Sequence, residues 1–88
     1  MEFKNKSIYD WPFPDDLFGQ TIDGIDVAML ASDSLRLMAA YAQQSELSDI
    51  QKKVLRHCGE ELKQILPHLS GYYAKEYFQK LFDEVEKI

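Results

Sequence analysis

Apolar residues recur at helical spacing in three stretches of the chain, and in a fourth, at the front, they do not. The cleanest stretch is the last. Tyr73, Ala74, Tyr77, Phe78, Leu81, Phe82, Val85 and Ile88 share one half of a helical wheel. Lys75, Glu76, Gln79, Lys80, Asp83, Glu86 and Lys87 share the other. The pattern predicts a helix over 71–87, with Tyr72 on its polar side and Glu76–Lys80 and Asp83–Lys87 spaced as i,i+4 ion pairs.

The middle stretch opens with Ser48-Asp49-Ile50-Gln51, a capping-box signature, because a serine hydroxyl and a glutamine three residues on can satisfy each other's backbone N–H groups. It predicts a helix over 49–67. Ile50, Val54, Leu55, Cys58, Leu62, Ile65, Leu66 and Leu69 form its apolar face, and Gly59 lies at the edge, where a neighbour can approach closely. Pro67 ends or kinks it near Leu66. The earlier stretch predicts a helix over 24–44, with Asp23 as N-cap and Asp26 near the positive end of the dipole. Its polar stripe is narrow, and the rest is apolar or small, which implies a central helix covered from more than one side.

Residues 1–22 lack helical periodicity and read as an arm. Trp11 and Phe13 each precede a proline and are held extended. Residues 14–19 suit one short helical turn: proline first, two aspartates next, glycine last. Phe3, Tyr9, Trp11, Phe13 and Phe18, five of the eleven aromatic residues, lie in this arm, so it is expected to bury Trp11 and wrap the helices. No strand alternation stands out. The expected fold is all-α: a small three-helix antiparallel bundle with an aromatic and proline-rich N-terminal arm packed on it, one domain over residues 1–88.

Charge changes the picture of the front half. The 88 residues carry a net charge of −5, but residues 1–44 hold seven acids and three bases, whereas residues 45–88 hold eight acids and seven bases. Between Lys6 and Arg36 lie Asp10, Asp15, Asp16, Asp23, Asp26 and Asp33 with no base among them. Such a field repels phosphate backbones and attracts a basic protein, or else serves solubility alone. The expected partner-facing residues are these six aspartates with Trp11 and Phe13; nucleic acid and membrane are not expected partners.

Candidate chemistry is sparse. His57 and Cys58 are adjacent, so on a helix they point about 100° apart, and Cys58 falls mid-stripe among Val54, Leu62 and Ile65, where a thiol is an inert hydrophobe. His57 and Glu61 could share a metal, but His68 is too far along the helix to join them. No glycine-rich phosphate loop, CxxC pair or EF-hand loop occurs. Neither catalysis, a metal nor a cofactor is expected. With one cysteine, no apolar leader and no apolar run longer than Val27 to Ala31, a cytoplasmic chain is the expectation.

In size, acidity and helical content the chain resembles bacterial toxin-immunity proteins, anti-CRISPR proteins and phage or plasmid accessory proteins, a resemblance of type rather than motif. It implies a non-catalytic interaction module, most concretely an inhibitor or immunity protein covering the positive surface of a basic partner such as a toxin nuclease. Two alternatives stay open: a structural or regulatory helical domain, monomeric or homodimeric, and a small metal protein or enzyme using His57, Glu61 and Cys58.

Overall fold

Asp23-Gly24 sets the front of the fold. Both residues have positive φ, +53° and +79°, which is what the two central residues of a type I′ hairpin turn require. They join β1 (Thr21–Ile22) to β2 (Ile25–Asp26), paired antiparallel with Thr21 opposite Asp26 and Ile22 opposite Ile25. The expectation of an all-helical chain is corrected here, and so is the N-cap. Asp23 sits in the turn, and Asp26 caps the first helix instead, its carboxylate accepting from the Met29 N–H at 3.1 Å. A helix starting at Gly24 would forfeit the turn for which Asp-Gly is the strongest short-range signal.

The computed structural model describes residues 5–88; Phe3 and the start of the expected arm lie outside them. Three helices, α1 (Val27–Gln44), α2 (Asp49–Ile65) and α3 (Tyr72–Glu86), pack pairwise against one another. Before them come 3-10 turns at Ile8–Asp10 and Asp15–Leu17, the second within the segment expected to make one helical turn. Ser7 caps the first of these, accepting from the Tyr9 N–H.

α1 buries Val27, Leu30, Ala31, Ser34, Leu37 and Met38. Met29 is 61% exposed and Tyr41 39%, so the covered arc is narrower than the apolar arc of the sequence, and α1 is not more central than its neighbours. Much of the remaining arc is alanine, which costs little to leave at the rim. The helix stops at Ser45, whose left-handed φ of +61° lets its N–H reach the Tyr41 carbonyl at 2.8 Å.

α2 begins with the expected capping box: the Ser48 hydroxyl accepts from the Gln51 N–H, and the Gln51 side chain accepts from the Ser48 N–H. It buries Leu55, Cys58, Gly59, Leu62 and Ile65. Ile50 and Val54, expected in the core, are instead 76% and 43% exposed. With His57 and Glu61 they occupy one edge of the helix, beyond the cover of α1 and α3. Pro67 falls in a 3-10 turn, Leu66–His68, that relaxes the end of α2 before α3 starts.

α3 contributes the centre of the core. Tyr77, Phe78 and Leu81, with Leu62 and Ile65 of α2 and Val27 of α1, are almost wholly buried. On its outer side Lys80 pairs with Glu84 at 3.2 Å and Lys87 with the same carboxylate at 3.7 Å. Asp83 accepts from the Gln79 amide instead of pairing with Lys87 as expected. Glu84 lies four residues after Lys80 and three before Lys87, so one carboxylate serves two cations.

Candidate interaction surface

The segment before α1 is held to α3 by aromatic rings. Trp11 is 6% exposed; its ring lies 6.1 Å from that of Tyr73, nearly parallel, and 6.4 Å from that of Tyr77. Its indole N–H donates to the Lys6 carbonyl. Phe13 packs edge-on against Tyr77 at 5.7 Å and Phe78 at 6.0 Å, and Phe18 lies 4.8 Å from Phe13 on the outside, 60% exposed. The expected partner-facing set is therefore split. Trp11 and Phe13 turn inward and position the segment, while Asp10 before them and Asp15, Asp16, Asp23 and Asp26 after them turn out.

Asp10, Asp15, Asp16, Asp23 and Asp26 are exposed. Asp10 ends the first 3-10 turn, and Asp15 and Asp16 begin the second. A carboxylate oxygen of Asp16 lies beside Gly71, where α3 begins: a β-carbon there would stand 3.7 Å from it. Asp23, at the hairpin tip, faces the end of α2. Its Oδ2 is 3.3 Å from Nε2 of His68 and accepts from the Gln64 amide at 3.4 Å. The hairpin and the second 3-10 turn thus bring Asp16 and Asp23 to the α2–α3 connection. Among the described residues, Asp33 alone of the six is neutralised by a lysine or arginine, the Arg36 guanidinium at 2.7 Å.

The contacts of His68 and Gln64 with Asp23 were missed at the level of sequence. Asp-Gly between Ile22 and Ile25 was the available signal, since it predicts a hairpin whose tip projects away from α1. Tyr72, 72% exposed, stands next to Gly71, and its phenol is held above the ordinary tyrosine range first by a hydrogen bond with Glu76 and then by that carboxylate's charge.

The second constellation does not assemble. Cys58 is 4% exposed and faces Ser34, whose hydroxyl donates to the Leu30 carbonyl at 2.8 Å. Burial pushes the thiol up, more than its hydrogen bond with Ser34 pulls it down, so a thiolate is disfavoured. His57 and Glu61 approach to 3.7 Å on the helix edge, and among the described residues no three His, Cys, Asp or Glu side chains converge as a metal site would need. Nor, among those residues, is any helix long and apolar enough to cross a membrane.

No protein-family model matches this sequence, and no curated protein or solved structure is detectably similar to it.

Proposed function

We propose that the chain is a non-catalytic protein–protein interaction module: an antiparallel bundle whose N-terminal arm, docked through Trp11 and Phe13, presents aspartates to a basic protein. In its most concrete form it is an inhibitor or immunity protein that covers the cationic substrate-binding surface of a toxin nuclease in the cytoplasm. The observation that carries this reading is the placement of Asp10, Asp15, Asp16 and Asp26. All four are exposed, and none has a lysine or arginine ion-pair partner among the described residues, whereas Arg36, Lys80 and Lys87 are each engaged by other acids. Unneutralised carboxylates on a rigid support attract a basic surface at long range and raise the association rate. Phe18, exposed beside them, supplies the apolar anchor that such surfaces use for affinity.

The test replaces Asp15, Asp16, Asp23 and Asp26 together by asparagine. Asparagine still caps a helix at position 26 and still accepts positive φ at position 23, so the fold is kept while the charge goes. With a partner isolated by cross-linking and then purified, association is expected to slow by about tenfold at low ionic strength and hardly at all at high. A folded variant with unchanged kinetics would leave the aspartates a solubilising role only.

A further inference from the structure

α1 starts at the aspartates and ends, 18 residues later, at a different kind of site. Its last turn, the connection into α2 and the end of α3 enclose a groove of about 410 Å³. The floor is apolar: Leu47, Leu55 and Val85, each 4–5% exposed. Lys52 and Arg56, one turn apart on α2, both line it. Neither side chain has an ion-pair or hydrogen-bond partner among the described residues, although Glu46 and Glu86 border the same groove.

We infer that this groove binds a small aliphatic monocarboxylate, its carboxylate held by Lys52 and Arg56 and its alkyl chain on Leu47, Leu55 and Val85. The volume suits a small molecule, since such sites measure roughly 300–1,000 Å³. Two cations one turn apart present a fork and a point charge to the same anion, and a planar carboxylate matches the guanidinium edge. Glu46 and Glu86 set the charge of the occupant: a second negative group would meet them, so a monoanion is favoured over a phosphate monoester. The apolar floor gains from a tail that leaves water. The groove lies at the opposite end of α1 from Asp26 and shares no residue with the aspartate surface.

The probe is octanoate, titrated into the full chain and followed by amide chemical shifts. Saturable shifts confined to the ends of α1 and α3 and the start of α2 are expected. Octylammonium and 1-octanol, which share the tail and lack the anion, should bind at least about tenfold more weakly, the worth of a charged hydrogen bond. The double variant K52Q/R56Q changes exposed side chains only and should weaken octanoate by a similar factor, while Glu86→Gln should tighten it. Shifts that do not saturate or that scatter over the surface would overturn the inference. So would equal binding of octylammonium, or octanoate affinity unchanged in K52Q/R56Q. Should that variant fail to fold, the ligand series decides alone.

Discussion

The Tyr73 hydroxyl donates a hydrogen bond to the Pro12 carbonyl oxygen at 2.5 Å, tying α3 to a residue 61 positions earlier in the chain. The same tyrosine carries the Trp11 indole against its ring. Pro12 and Pro14 reduce the conformations open to this segment when it is free, so docking it costs less entropy.

The two anchors should differ sharply in weight. Trp11→Ala removes a buried indole and is expected to destabilise the protein by about 3–5 kcal/mol. Tyr73→Phe loses one hydrogen bond at an exposed site, where water can satisfy Pro12, and should cost about 1 kcal/mol or less. Urea unfolding of both variants checks this. A Trp11→Ala protein within about 1 kcal/mol of the parent would mean that the segment contributes little to stability, well outside the range for a large core truncation.

The three helices were legible because each buries a periodic apolar stripe, and the capping box at Ser48 was legible because two side chains announce it. The start of α1 is ambiguous in the sequence because Asp23 and Asp26 are both good caps, and helical periodicity after Gly24 does not reveal that Asp23-Gly24 forms a hairpin turn. Ile50 and Val54 were misplaced because helical periodicity tells which residues share a face, not how far a neighbour's cover extends. Glu61 lies between those two on the wheel, and its half-buried carboxylate marks where the core ends. The aspartate surface was legible as charge. Its geometry was not, since the approach of Asp23 to His68 and of Asp16 to Gly71 depends on how loops fold back.

Two glycines should respond with opposite signs to the same substitution. Gly24 has φ +79° and open space around it, so Gly24→Ala meets no clash yet forces a left-handed alanine. It should cost about 1–2 kcal/mol. Gly59 is helical, and an added β-carbon would meet Glu86 Oε2 at 3.4 Å and Val85 Cγ1 at 3.6 Å, ordinary contact with side chains. Gly59→Ala should stabilise by about 0.5–1 kcal/mol through helix propensity. Thermal melts of the pair decide it, and shifts of the same sign would refute the reading of one site.

Ser45 offers a third backbone test, because it is a non-glycine residue at φ +61° in the cap of α1. Ser45→Gly relieves the left-handed penalty at a position where glycine is the usual residue, and a gain of about 0.5–1 kcal/mol is expected. A loss in urea unfolding would show that the serine side chain contributes something the cap geometry does not reveal.

The last prediction concerns alkali. Tyr77 is 2% exposed, and burial first, then the neighbouring Tyr73, pushes its phenol from 10.0 up to about 12. The folded state therefore holds this proton more tightly than the unfolded state does. That preference stabilises the fold fully below the unfolded value of 10.0 and is lost as pH rises through the folded value of about 12. Within that window Tyr77 alone should remove up to about 1.4 kcal/mol of stability per pH unit. Cys58 acts in the same direction from a lower starting point, since burial raises its thiol above 9.0. Unfolding free energy should thus fall between pH 9 and pH 12, and tyrosinate absorbance should show one phenol ionising only as the fold is lost. Tyr77→Phe should flatten the upper part of the curve, whatever it does to stability at neutral pH. An equally steep decline in that variant would move the alkaline sensitivity to other groups and away from the centre of the core.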